Sequence, residues 1–168
     1  MIVYHGSNVE IDAIRLEKCG KYKDFGRGFY VTALEEQAER MAKRTAKRLG
    51  GTPTVTIFDF DENELAGLKY KEFKYIDDNW ARFIINNRDK DFKDIFSELS
   101  NHDNKYDVVS GAVANDDIAT TFALFRGGII NLEILAARLE YRELSNQYSF
   151  HTIAAVELLK KVGVKRYG

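Results

Sequence analysis

The sequence predicts an α+β fold in a single domain over residues 1–168. β-branched runs and amphipathic helical runs are mixed without the regular strand–helix–strand alternation of a parallel α/β protein. No Pro/Gly/Ser-rich linker divides the chain, and Pro53 is the only proline. A chain of 168 residues, 45% hydrophobic and 30% charged, suits one ordinary globular core.

In chain order, Ile2–Tyr4 reads as a short β-rich run, and Gly28–Thr32 (GFYVT) as a second strand entered through two glycines. From Leu34 to Leu49 the apolar set Leu34, Ala38, Met41, Ala42 and Leu49 recurs at helical spacing, with charged residues on the other face and Gly50–Gly51 as the stop. Thr54–Phe60 is β-branched and alternating, and Tyr70–Tyr75 is a further strand candidate. Asp78 is placed as the N-cap of a helix in which Trp80, Phe83, Ile84 and Asn87 share one face. The polar stretch 89–105 reads as a mobile excursion, and Tyr106–Val109 as a buried strand. Ile118–Phe125 and Leu132–Leu139 read as helices separated by Gly127–Gly128. Gln147–Phe150 is a short strand, and Thr152 is expected to cap a last helix ending at Gly163.

Composition excludes several classes. A net charge of −1 gives no global electrostatic argument for binding nucleic acid. Cys19 is the only cysteine, so no disulfide framework forms within the chain. The opening MIVYHGS lacks the basic and apolar regions of a signal peptide, and no apolar run approaches a membrane span. A cytoplasmic protein with no membrane partner is the resulting expectation. There is no P-loop element, and Gly26-Arg27-Gly28 leads into a strand where a Rossmann phosphate loop opens a helix. His5, His102 and His151 are scattered and have no zinc-site context, so no metal is expected. Cys19 sits among lysines only and reads as a structural or surface thiol.

Three separated segments carry the chemistry: Tyr4-His5-Gly6-Ser7 at the end of the first strand, Asp24-Phe25-Gly26-Arg27-Gly28-Phe29-Tyr30-Val31-Thr32, and Ser145-Asn146-Gln147-Tyr148-Ser149-Phe150. Taken singly, each has a plain structural reading. Together, YHGS, FGRGFY and NQY in that order resemble the ADP-ribosyltransferase superfamily, in its His–Tyr–Glu branch with the poly(ADP-ribose) polymerases. The longer pattern through DNWARFIINNR, YDVVSGAVANDDI and NQYSFHT is similar to an uncharacterised bacterial family, domain of unknown function 3990.

The resemblance implies two small, mostly antiparallel sheets forming an NAD cleft with flanking helices. It implies that NAD is the substrate, with its nicotinamide–ribose bond broken through an oxocarbenium-like transition state. His5 would hydrogen-bond an adenosine-ribose hydroxyl, and the Gly6 backbone would hold the carboxamide, glycine letting the ligand come close. Tyr30 would lie against the nicotinamide ring, and Ser7 would touch the adjoining ribose. Gln147 stands where the family has its catalytic Glu. It keeps the hydrogen bond to a ribose hydroxyl but supplies neither the charge nor a general base, a loss on the order of a hundredfold or more in rate. Single transfer, slow hydrolysis and binding without turnover stay open.

The helix after FGRGFY carries Ala38 and Met41 where the polymerases have a serine and a second aromatic. Arg27, Gly28, Arg88, Asn115 and Asp116 are therefore candidates for completing the site, Arg27 as a pyrophosphate partner. The expected function is mono-ADP-ribosyl transfer to a protein or nucleic-acid acceptor, in a bacterial toxin or toxin–antitoxin setting with an antitoxin partner. The alternatives are an inactive NAD-binding or interaction module, or an RNA-modifying enzyme on the same fold. The basic run Lys43, Arg44, Lys47 and Arg48 is the only local feature of the sequence that favours nucleic acid.

Overall fold

The computed structural model describes residues 1–114, 116–139 and 145–168. The fold is α+β. Its strands are β1 (Ile2–Ser7), β2 (Phe29–Val31), β3 (Thr54–Asp59), β4 (Tyr70–Glu72), β5 (Val108–Gly111), β6 (Gln147–Phe150) and β7 (Lys160–Arg166). They form a three-stranded sheet in the order β1–β3–β7 and a four-stranded sheet in the order β2–β6–β5–β4. All neighbours are antiparallel except β4 and β5. The helices are α1 (Glu35–Leu49), α2 (Asp78–Arg88), α3 (Asp116–Arg126), α4 (Leu132–Leu139) and the single turn α5 (Ile153–Val156). No helix among the described residues is long and apolar enough to cross a membrane.

Two apolar clusters cover opposite faces of the four-stranded sheet. The first joins the sheets through Val3 and Phe58 on one side and Phe29, Val31, Val108 and Phe150 on the other. The second packs Trp80, Phe83 and Ile84 of α2, with Phe122 and Leu135 of α3 and α4, onto Phe25 and Val109. Val108 enters the first cluster and Val109 the second, as the alternation of a strand buried on both faces requires. Trp80, Phe83, Ile84 and Asn87 are all fully buried, so the helical face read from the sequence is the buried one.

Three local expectations are corrected. On α1 the buried residues are Ala38, Ala42 and Ala46, whereas Met41 and Leu49 are 46% and 63% exposed. The reason is the closeness of β1: a Cβ on Gly6 would stand 1.9 Å from the Ala38 carbonyl oxygen, so the contact face holds only methyl-sized side chains. The N-cap of α2 is Asp77, whose carboxylate accepts from the Trp80 N–H at 2.9 Å, and Asp78 is the first helical residue. Thr152 does cap a helix, but only α5, and the chain then runs into β7 along β3. Val162 and Val164 suit that pleated edge, and no helix reaches Gly163.

Residues 89–105 hold no regular helix or strand, yet they are pinned. Ser100 and Asn101 are fully buried. The Asn101 N–H donates to Asn87 Oδ1 at 2.7 Å, and its side chain exchanges hydrogen bonds with the Tyr106 backbone.

Candidate functional site

The two sheets share one backbone bridge, and the backbone pairing then stops. Tyr4 and Thr32 exchange both backbone hydrogen bonds, at 2.8 and 3.0 Å, as the single bridge between β1 and β2. Because N–H and C=O groups alternate sides along a strand, Tyr4 and Gly6 point toward β2, while Val3, His5 and Ser7 point toward β3. Continuing the ladder would pair Gly6 with Tyr30. That pair does not form. Instead His5 Nδ1 lies 2.7 Å from the Tyr30 carbonyl oxygen and takes the acceptor that Gly6 would have used. The Gly6 N–H and C=O are left facing the divergence, with no partner among the described residues.

The His5 tautomer follows from that contact. A carbonyl only accepts, so Nδ1 carries the hydrogen and Nε2 keeps its lone pair. Burial lowers the His5 pKa against the bond to Tyr30, and Lys23 lowers it further, so the ring is neutral near pH 7. Its plane stacks on Phe29, with centroids 4.3 Å apart. His5 is thus a fixed neutral ring offering one acceptor.

That ring borders a cavity of about 470 Å³, lined also by residues 11–15 of the segment after β1. Gly28, Phe29 and Tyr30 line it, as do the cations Arg15, Lys18 and Lys23. The lining has an excess of positive charge, since Asp12 there is already bound to Lys161. None of these cations stands out in the sequence. A larger depression, about 510 Å³ beside β4 and the start of α2, contains none of the predicted residues. Of the two, the cavity at His5 is the one lined by predicted site residues, among them the oriented His5 ring.

Tyr30 acts through its hydroxyl as a staple of the loop before β2. It donates to the Gly26 carbonyl at 2.7 Å and accepts from the Phe25 N–H at 2.9 Å. Burial and the Asp24 carboxylate hold the phenol pKa well above its usual value, so the hydroxyl keeps its proton near neutral pH.

Gln147 is not among the residues lining the His5 cavity. It lies on the other face of its strand from Phe150, toward α2, and is 8% exposed. Its Nε2 donates to Asp24 Oδ2 at 2.8 Å and, weakly, to the Ala112 carbonyl at 3.4 Å. Asp24 is a hub that does not stand out in the sequence. Its Oδ1 accepts from Arg88 Nε and Nη2 at 2.9 and 2.6 Å, and its Oδ2 also accepts from the Ala114 N–H at 3.2 Å. The structure therefore gathers the predicted residues into two groups, His5–Gly28–Tyr30 and Gln147–Arg88. Residues 24–30 run between them.

The remaining expectations fall as follows. Ser7 Oγ makes only a long 3.4 Å contact to Asn8. Arg27 has a buried Nε without a partner among the described residues, while its carbonyl accepts from His151 Nδ1 at 2.8 Å. Asp116 begins α3, and Asn115 lies outside the described residues. Arg88 is committed to Asp24 and to the Ala114 carbonyl. No cluster of three metal-ligating side chains occurs among the described residues. Gly6 and Gly28 owe their missing side chains to close packing: a Cβ on Gly28 would meet His151 Nδ1 at 2.7 Å.

Against this geometry, one family model, described as a protein of unknown function (DUF3990), matches residues 1–161. The chain belongs to the DUF3990 family. No curated protein and no solved structure matches it significantly. The matched span of this DUF3990 domain contains His5, Asp24, Tyr30, Arg88, Gln147 and His151, and so both residue groups.

His151, which the sequence does not single out, supports the base of the site. Its ring joins the Arg27 carbonyl to Ser149 Oγ at 2.8 and 2.7 Å, and burial lowers its pKa to about 4. A folded-state value below the unfolded 6.5 means that protonation favours unfolding. The contribution is whole above pH 6.5 and is lost as pH falls toward 4, on the order of 3 kcal/mol. Thermal melts from pH 7.5 to 4.5 are expected to show a steeper acid loss for the wild type than for His151→Asn.

Proposed function

We propose that this domain is an NAD-using protein of the ADP-ribosyltransferase type, and that it transfers a single ADP-ribose unit to a macromolecular acceptor with release of nicotinamide. One observation carries the reading: the divergence of β1 from β2 directly after the Tyr4–Thr32 bridge. It leaves the Gly6 N–H and C=O without a partner among the described residues, and His5 Nε2 as an oriented acceptor. A carboxamide needs one donor and one acceptor side by side, which an unpaired strand residue offers, and a ribose hydroxyl needs an acceptor such as Nε2. The cations Arg15, Lys18 and Lys23 suit a diphosphate.

Gln147 sets the expected rate. Its Oε1 accepts a hydroxyl hydrogen but brings no charge to a developing cation, so turnover is slow and polymer elongation is not expected. The test is nicotinamide release from NAD⁺ by the purified protein, beside His5→Ala, Tyr30→Ala and Gln147→Ala. Slow release by the wild type, lowered at least tenfold in each variant, is the expected result. Saturable NAD⁺ binding without release would instead identify a binding module. A neutral fixed ring and a free strand edge support either outcome, whereas no binding sinks the assignment.

A further inference from the structure

The contact between Asp24 and Gln147 determines more than the position of one side chain. A carboxylate only accepts hydrogen bonds, so the 2.8 Å contact orients the amide, nitrogen toward Asp24 and Oε1 away. Both amide hydrogens are then used, by Asp24 and by the Ala112 carbonyl. What remains of Gln147 is a pure acceptor. Asp24 is held in turn by Arg88 and the Ala114 N–H, and its side chain is only 11% exposed. Turning the Gln147 amide over would set Oε1 against the Asp24 carboxylate, acceptor against acceptor.

We propose that Asp24 is a positioning residue that fixes Gln147 with Oε1 as its presented acceptor, so that this site is built for an amide at 147 and rejects a carboxylate there. Glutamate at 147 would bring two acceptors to 2.8 Å with no hydrogen between them. The carboxylate and the amide form one matched pair; exchanging their positions restores a donor facing an acceptor across that contact, while the amide nitrogen at 24 then meets the Ala114 N–H that Asp24 Oδ2 now accepts. What Oε1 accepts, a ribose hydroxyl, rests on the function proposed above; the pairing itself does not.

Three variants test it: Gln147→Glu, Asp24→Asn and the double exchange Asp24→Asn/Gln147→Glu. Each is melted between pH 5 and pH 8 and titrated with NAD⁺. In Gln147→Glu the paired carboxyls hold one proton between them, so the folded state binds more protons than the unfolded one. Stability then falls as pH rises, and the melting midpoint should drop by several degrees from pH 5 to pH 8 relative to the wild type. The double exchange should abolish that drop. Asp24→Asn turns the Gln147 amide around and presents a donor in place of Oε1, so NAD⁺ affinity should fall about tenfold while the fold persists. The double exchange should recover that affinity.

If Gln147→Glu does not fold at pH 8, folding at pH 5 or in the double exchange still supports the pairing. A Gln147→Glu midpoint that tracks the wild type at every pH overturns it, as does a double exchange whose midpoint drops from pH 5 to pH 8 as that of Gln147→Glu does. If the wild type binds no NAD⁺, the function falls and the pH arm alone decides the pairing. If Asp24→Asn binds NAD⁺ as the wild type does, the positioning role falls and the function stands.

Discussion

Gly6→Ala is expected to destabilise the domain by about 3 kcal/mol or more, or to prevent folding. The added methyl would lie 1.9 Å from the Ala38 carbonyl oxygen and 2.9 Å from the Ala42 nitrogen, both backbone atoms of α1. A flexible side chain could move aside, but a helix backbone cannot without lifting α1 from β1 and β3. The exposed changes Met41→Ala and Leu49→Ala on the same helix should cost under about 1 kcal/mol. Chemical denaturation of the three variants measures the contrast. Equal stability of Gly6→Ala and wild type would show that α1 does not sit where described. The result also separates two reasons for a glycine here, since helix packing alone requires it and the free N–H and C=O belong to any residue.

Asp24→Ala is the second large effect. It leaves the Arg88 guanidinium, the Ala114 N–H and the Gln147 amide without their shared acceptor. Removing one member of a largely buried ion pair typically costs about 3 kcal/mol, more than deleting a surface bridge. Arg82→Ala, which breaks the exposed pair with Asp78, is the matched control and should change stability by under about 1 kcal/mol. Urea midpoints for the two variants give the comparison. A small loss in Asp24→Ala would mean that Arg88 and Gln147 find other partners, and the hub would lose its meaning.

Much of the fold was legible because its signals are local. The limits of β6, Gln147–Phe150, and of α4, Leu132–Leu139, match the alternation and helical spacing in those stretches. The buried face of α2 was equally plain. β7 was hidden because its strand character depends on β3, about a hundred residues away, while Thr152 gives a genuine local helix signal just before it. On α1 the periodicity was right, but Met41 outranks alanine in apolarity, and only the closeness of β1 makes alanine the buried choice.

The candidate site divides in the same way. His5, Gly6, Tyr30 and Gln147 lie in short phrases that can be read along the chain. Asp24 sits in one of those phrases, yet its role exists only when Arg88 and Gln147, 64 and 123 residues away, converge on it. His151 gains its meaning from Arg27, 124 residues earlier, and from Ser149. The cations Arg15, Lys18 and Lys23 look like ordinary surface charge until the fold brings them to the cavity at the His5 ring.

Calorimetric titration of NAD⁺ into the purified protein, beside His5→Ala, is the most direct test. His5→Ala removes the Nε2 acceptor and frees the Tyr30 carbonyl for the Gly6 N–H, closing the divergence where the ligand would enter. Saturable one-site binding by the wild type, weakened at least tenfold in a folded His5→Ala variant, is the predicted result. No heat of binding at millimolar NAD⁺, or equal affinity in the two proteins, would contradict it.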